Sequence, residues 1–533
     1  MVPSRPLELP APRRSRVVAA LVLVGGVAVT LVASRDIGPT FAELARVGVI
    51  ARATELARAV TDYGPNSMVS SSAEAIYGEL APHGVGPALL SGWLGEVFAH
   101  AKLLDRLTAD RLGWLFATAL APLSVYLIAE ATHGAVVGAL AACLLLAMPR
   151  WTHAAAVASE PAVVASLWLA ILAAYVRSLP PSQAARRAER VPKFRCAGVV
   201  FGVVVGLAVV YSLASLWILP LLMAHYSLGT RGAFRAWRHG RAPAPTALLW
   251  AVVLSPPLVF AVSPLLWKGG AATIAEWLLV PGLEPRVEPA TFLGVPVTIA
   301  TIPWSYAGTW LVATTPIAVV VLGALGLARL LVDARARRRG ELSRPQRGLG
   351  ALIVLVLVAV VVGPGLTPKV LLTFPPRVDA ALPFLAMLAA LGFDGVIRRV
   401  PGRWLRAGIA TVATALLFAT GASHYRVGAA SFGLLSGGAA RMQQFRSFDL
   451  GDGSAVAEFA PAIDALGLSR VSAAAPDVPR NYFAVLHDVG RIRTRVETPR
   501  PDIGDLRIVR GADAAALATV TDDGATLWTL RRK

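Results

Sequence analysis

Long apolar runs alternate with short arginine-rich segments along most of the chain, and that alternation predicts a series of membrane-crossing helices. The first run, Val17 to Ala33, carries no charge and is about long enough to cross a bilayer. The basic clusters then serve as a ruler, because a segment flanked by arginine-rich loops at both ends crosses an even number of times. Four loops carry this signal: the N-terminus with Arg5, Arg13, Arg14 and Arg16; 177–195 with Arg186, Arg187, Arg190 and Lys193; 231–241 with Arg235 and Arg238; and 333–347 with Arg335, Arg337, Arg338 and Arg339. Arg398, Arg399, Arg403 and Arg406 form a fifth. All are placed in the cytoplasm.

Between these markers the pattern predicts spans at 17–34, 110–131, 134–150 and 162–178. The block Cys196 to Gly229 is too long for one upright helix and reads as a hairpin of two short spans, bent near Tyr211 to Leu216. Further spans follow at 245–265, kinked by Pro256 and Pro257, and at 307–331, 349–363, 380–396 and 405–422. About eleven crossings result, with the N-terminus inside and the C-terminus outside. The long external loop 35–109 contains two stretches that read as interfacial juxtamembrane helices, Phe41 to Val60 and Gly84 to Leu104.

From Ser423 the composition changes to charges, glycines and short apolar runs. Helices are expected at 455–466 and 482–489, and strands at 470–474, 491–496, 506–510 and 526–531. The chain therefore divides into a transmembrane part, 1–422, and a small soluble α/β domain, 423–533, on the periplasmic side.

Composition agrees with a polytopic α-helical membrane protein of the cytoplasmic (inner) membrane. A content of 56% hydrophobic residues and a mean hydropathy of +0.61 exceed what a soluble globular chain carries. The net charge of +19 would suggest nucleic acid in a soluble protein, but here the arginines fall between apolar runs and follow the positive-inside pattern. Nucleic acid is excluded as a partner. Two cysteines, Cys143 and Cys196, support neither a disulfide framework nor a zinc cluster. There is no glycine-rich phosphate loop opening a helix and no serine nucleophile elbow.

Candidate chemistry starts just after the first span, in Ser34-Arg35-Asp36-Ile37-Gly38-Pro39-Thr40-Phe41-Ala42-Glu43, where Asp36 emerges at the water interface. Asp36 and Glu43 read in two ways. They form an acidic active-site loop, or they flank and cap an interfacial helix starting near Pro39. The predicted topology gathers Asp36, Glu43, His83, His153, Glu160, Trp267, Lys268, Trp304, Tyr306, Lys369, Arg377 and Asp379 on the external face. Ionisable groups at a membrane boundary are functional candidates, while interfacial snorkelling accounts for Lys268, Trp267 and Trp304.

In order along the chain, these elements resemble the landmarks of the GT-C superfamily of membrane glycosyltransferases, in particular the bacterial relatives of protein O-mannosyltransferase and the lipid A aminoarabinose transferase. An acidic loop follows the first span, and Pro82-His83-Gly84-Val85-Gly86-Pro87 is similar to the element opening the second juxtamembrane helix. Ser159-Glu160-Pro161 stands where the family has an Asp-Ala-Pro-like element. Pro264-Leu265-Leu266-Trp267, Phe292-Leu293-Gly294, Pro303-Trp304-Ser305-Tyr306 and Thr314-Thr315-Pro316 follow, and Pro376-Arg377-Val378-Asp379 to Phe384 resembles the family's entry to a late span. The adjacent Asp-Glu of the family is represented here by Asp36 alone or by Ala42-Glu43.

The resemblance implies an inverting hexosyl or pentosyl transfer from a polyprenyl-phosphate-linked donor to a lipid, glycan or protein acceptor at the outer face. Asp36, then Glu43, is the implied general base. Arg377, with Lys369 second, stabilises the leaving phosphate, and His83 and His153 are further substrate-binding candidates. Glu160 orients the acceptor or, with His83, ligates a divalent cation; no other cofactor is implied. Two other classes stand beside this one. A secondary transporter or lipid flippase would place its ionisable groups and broken helices near mid-membrane. A catalytically inactive assembly protein would use the soluble tail to bind a partner.

Overall fold

In a computed structural model of the chain, residues 12–64, 67, 76, 85–178, 193–229, 246–262, 290–293, 295–297, 303–337, 350, 352–354, 356–358, 379–424, 454–474, 482–488, 491–497, 506–510, 516–522 and 525–532 are described. The long apolar helix α1 (Pro12–Asp36) leads into α2 (Phe41–Tyr63) and α3 (Val85–His100). The next crossing is built from α4 (Arg106–Ala119) and α5 (Ala121–His133), followed by α6 (Ala135–Leu146), the short α7 (Pro149–Ala156) and α8 (Glu160–Ser178). The expected hairpin is present as α9 (Lys193–Tyr211), a 3-10 turn at Leu213–Trp217 and α10 (Ile218–Gly229). Then come α11 (Thr246–Val262), the two-stranded ribbon β1 (Ala290–Phe292) and β2 (Val295–Val297), α12 (Tyr306–Thr314), α13 (Ile317–Arg337), α14 (Leu382–Ile397) and α15 (Arg403–His424).

By length and apolar composition, Ser15–Asp36, Arg106–His133, Glu160–Ser178 and Asp379–Ile397 reach across a bilayer. The pair α6 and α7, bent by 74°, passes the same test when the two helices are taken together, and shorter apolar helices within α9, α10, α11, α13 and α15 accompany them. The chain is a membrane protein. The expected hairpin and the expected spans at 245–265, 307–331 and 405–422 coincide with these shorter helices, and the expected span at 349–363 is described at 350, 352–354 and 356–358.

Side-chain contacts fix which helix ends lie together. At one end, Ser15 bonds to Glu130, Tyr126 Oη donates to Ser15 O, and Arg177 pairs with Glu130 at 2.8 Å. The start of α1 and the ends of α5 and α8 therefore share a face. At the opposite end, Ala33 and Ile37 of the α1 terminus pack on Ala156 and Val157. Helices α13 and α14 run side by side in the same direction, since Gly323 meets Leu385, Gly326 meets Leu388 and Arg329 pairs with Asp394 at 2.8 Å. A Cβ on Gly326 would fall 1.9 Å from Leu388 O, and one on Gly392 2.0 Å from Leu322 O, so the two backbones touch only because both residues are glycine.

These directions place Arg177, Arg398, Arg399, Arg403 and the end of α13 at the Ser15 end. The basic ruler thus marks a single end of the bundle wherever the described residues anchor it.

Beyond the membrane helices, a 3-10 turn (Ser454–Phe459) and α16 (Ala460–Asp464) precede β3 (Arg470–Ala474), α17 (Tyr482–Asp488), β4 (Arg495–Glu497), β5 (Leu506–Arg510), β6 (Ala516–Asp522) and β7 (Ala525–Arg532). The strands form one sheet in the order β4-β3-β5-β7-β6, parallel through β4, β3 and β5 and antiparallel beyond. Val456, Phe459, Ile463, Val471, Ile508 and Leu530 fill its core.

Candidate functional site

The acidic loop is a corner where two helices meet end to end, and the backbone dictates what must hold it. Helix α1 ends with carbonyls that have no helical partner, and α2 begins with N–H groups that have none. At the start of α2, Thr40 closes a capping box: its hydroxyl accepts from Glu43 N at 3.2 Å, and Glu43 Oε2 accepts from Thr40 N at 2.7 Å. At the end of α1, the carbonyls of Ser34, Ile37 and Gly38 accept from one guanidinium, that of Arg111 on α4, at 2.7, 3.1 and 2.8 Å.

Arg111 also donates to both oxygens of Glu43, Nε to Oε1 at 2.7 Å and Nη2 to Oε2 at 2.9 Å. Three carbonyls and two carboxylate oxygens, with Ser34 Oγ at 3.4 Å from Nη1, provide an acceptor for each of its five donors. Arg111 is 3% and Glu43 4% exposed, so this is a buried pair with its remaining hydrogen-bonding capacity satisfied, the condition under which such a pair is tolerated. Helices α1, α2 and α4 are locked together at this point.

Asp36 stands in the same corner on different terms. It is the last residue of α1, partly exposed, at the helix end where backbone partial charge is negative and a carboxylate is disfavoured. Of the two sequence readings, capping therefore belongs to Glu43, through Thr40.

A second arginine lies at this end of the bundle. The turn after α6 redirects the chain into α7, whose Pro149 occupies the first helical turn, where its missing N–H costs nothing. Arg150 follows, 6% exposed; its Nε donates to Asp379 Oδ1 at 2.5 Å and its guanidinium carbon lies 4.8 Å from the centre of the Trp310 ring. Trp310 stacks on Tyr306, which meets Phe292 with ring centres 5.1 Å apart. Helix α7 closes with Ser159 N bonded to Ala154 O and Ala158 N to Ala155 O, which puts Ala158 at φ +48°, a conformation that favours glycine.

His153 is buried within α7, and Glu160 is exposed in the first turn of α8, where the helix dipole favours a carboxylate. Both are at the Asp36 end. His83, Lys369 and Arg377 lie outside the described residues, as do Trp267 and Lys268. Among the described residues no group of three or more His, Cys, Asp or Glu is arranged to hold a metal ion.

On the outer side of the corner, α3 is tied down by Glu96, which takes bonds from Arg58 of α2 and, at 2.9 Å, from Arg106 of α4. The hydrogen bond from Arg58, then that from Arg106, holds the Glu96 carboxyl below the usual range for a glutamate. Arg111, Arg150 and Thr40 are not among the residues that the sequence marks as candidates. The available signals were a Thr-x-x-Glu box at 40–43, an arginine inside the apolar run of α4, and an arginine directly after Pro149.

No family model matches the chain, and no curated protein does. Among solved structures it is similar to ArnT from Cupriavidus metallidurans bound to undecaprenyl phosphate, with 14% identity and a TM-score of 0.43 over 96% of this chain and 97% of that one. It is similar also to the oligosaccharyltransferase AglB from Archaeoglobus fulgidus in complex with an inhibitory peptide and a dolichol-phosphate, with 13% identity and a TM-score of 0.44 over 76% of this chain and 56% of AglB. The apo form of the Archaeoglobus oligosaccharyltransferase matches at 13% identity and a TM-score of 0.42, over 71% and 56%. The alignment spans nearly the whole length of ArnT and about half the length of the oligosaccharyltransferase.

Proposed function

We propose that this chain is an inverting glycosyltransferase that moves a sugar from a polyprenyl-phosphate-linked donor to a lipid, glycan or protein acceptor at the outer face of the cytoplasmic membrane. The observation that carries the reading is the corner itself: Asp36, a partly exposed carboxylate closing α1, leads directly into a loop whose carbonyls and Glu43 are held by Arg111. A general base has to be held close to the proton it removes, and a rigid mount supplies that.

In this reading Asp36 takes the acceptor hydroxyl proton as the acceptor oxygen bonds to the anomeric carbon from the face opposite the phosphate. The bond from that carbon to the phosphate oxygen breaks with its electron pair, and the polyprenyl phosphate leaves as an anion. Guanidinium groups suit that anion because they present paired donors. Arg377 is the assigned phosphate partner, with Lys369 second. Asp379, two residues beyond Arg377, is tied to Arg150, which brings the entry of α14 to the Asp36 end of the bundle.

Glu160 is proposed to orient the acceptor or, with His83, to hold a divalent cation, and His153 to contact the substrate. Glu43 serves by positioning the loop. The donor's apolar tail stays in the bilayer while its headgroup enters from the side, which explains why the protein is mostly membrane helix. The Ser15 end is proposed to face the cytoplasm, as its arginines require, with residues 423–533 as a domain on the other side.

The test is turnover by the purified protein in lipid nanodiscs supplied with polyprenyl-phosphate sugars. Release of polyprenyl phosphate and a product of inverted anomeric configuration by NMR are expected. No release with any such donor and a panel of acceptors, by protein that is folded, contradicts the proposal.

A further inference from the structure

Residues 482–488 and 491–492 reach back to the first third of the chain, across 443 residues of sequence at Tyr482 and 386 at Arg491. Tyr482 Oη donates to Pro39 O at 3.0 Å, three residues from Asp36, and Arg491 pairs with Asp105 at 2.9 Å. The two contacts come from one unit, because Leu486 O of α17 accepts from both Arg491 N and Ile492 N, at 2.9 and 3.3 Å. Tyr482, Phe483 and Leu486 are fully buried, so α17 is seated on its neighbours by packing as well as by these bonds.

Both targets belong to the corner. Pro39 has no N–H and stands between the end of α1 and the cap of α2, so its carbonyl is a main-chain handle on the loop. Asp105 is the N-cap residue of α4, with Oδ1 accepting from Thr108 Oγ1 at 2.6 Å. Helix α4 carries Arg111, which grips Ser34, Ile37, Gly38 and Glu43. The C-terminal unit therefore touches the acidic loop directly through Tyr482 and touches the root of its guanidinium clasp through Arg491. Arg111 holds the loop on one side, and the 482–492 unit holds it on the other.

We infer that Tyr482 and Arg491 are positioning residues for Asp36, making the C-terminal segment a working part of the site. The catalytic half of this inference rests on the transferase reading; the mechanical half does not. A missing clamp leaves the donor's binding groups in place but lets the loop move, so loss should appear in the chemical step more than in donor binding.

The experiment compares full-length wild type, Tyr482→Phe, Arg491→Ala and Arg491→Lys in nanodiscs. Amide hydrogen exchange is read over residues 37–43, together with turnover of a polyprenyl-phosphate sugar. Tyr482→Phe, which keeps the buried ring, is expected to speed exchange of the 37–43 amides several-fold, about the effect of one lost hydrogen bond. It should lower kcat about tenfold with donor KM held within about twofold. Arg491→Ala should do the same, and Arg491→Lys should restore part of both readouts. Unchanged exchange over 37–43 in both Tyr482→Phe and Arg491→Ala would overturn the clamp, and faster exchange with undiminished kcat would overturn its role in catalysis. If wild type turns over no donor at all, the transferase reading fails while the exchange data still decide the clamp.

Discussion

Arg111 holds Glu43 by both carboxylate oxygens, at 2.7 and 2.9 Å, in a corner closed to water. Removing one partner of such a pair strands the other charge, which costs about 3–5 kcal/mol. Glu43→Ala is therefore expected to lower the unfolding midpoint sharply and to reduce folded yield. Asp36→Asn, at a partly exposed helix end, is expected to stay within about 1 kcal/mol of wild type. Thermal unfolding in matched detergent separates the two.

Arg150 and Asp379 form the second buried pair at this end, with Trp310 facing the guanidinium. Arg150→Lys keeps the charge but loses the planar fork and the stacking, so it is not a conservative change here. It is expected to destabilise by about 1–3 kcal/mol, and Asp379→Ala by about 3–5 kcal/mol. A double-mutant cycle with Trp310→Ala should give a coupling of about 0.5–2 kcal/mol between Arg150 and the ring.

The α13–α14 crossing is set by Gly326 and Gly392, where a methyl group would overlap a facing carbonyl. Gly392→Ala should force the helices apart and cost about 1–3 kcal/mol or more. Gly408→Ala, in α15 with open space around the added carbon, is the control. It is expected to be neutral or stabilising by up to about 1 kcal/mol, since alanine is the better helix former.

The Glu96 tether gives a pH dependence of known sign. Its carboxyl is held below the usual value by Arg58 and Arg106, so the folded protein binds its proton less readily than the unfolded chain. The stabilisation is present in full above the ordinary glutamate value of 4.5 and is lost as pH falls through the lower folded value. Melting curves of wild type and Glu96→Gln should differ at neutral pH and converge under strongly acidic conditions. Curves that stay equally separated at low pH would show that the pairing contributes nothing to stability.

The helices were legible because apolar length and arginine clusters report on burial in lipid, a one-dimensional property. The bend expected near Tyr211 to Leu216 appears as the 3-10 turn Leu213–Trp217, and the two helices expected in the loop 35–109 are present as α2 and α3. Helix α7 was not legible in the same way. Its 74° bend falls inside a run that hydropathy joins into one span at 134–150, and Arg150 was read as the end of that span. Strand β6 was also missed: Ala516 to Asp522 opens on Ala-Leu-Ala, which does not favour a strand, and only Thr519, Val520 and Thr521 are β-branched, so pairing with β7 decides it. The site was legible only in its acids. Arg111 and Tyr482 act over 68 or more residues of sequence separation, and no local pattern encodes such partners.

The central claim is that Asp36 does the chemistry and Glu43 holds it in place. Its most direct test is single-turnover release of polyprenyl phosphate from a polyprenyl-phosphate sugar, normalised to folded protein, for wild type, Asp36→Asn and Glu43→Gln. The account predicts at least about a hundredfold loss for Asp36→Asn at unchanged stability, and for Glu43→Gln a lower stability with a smaller loss of rate per folded molecule. Turnover by Asp36→Asn equal to that of wild type would contradict it.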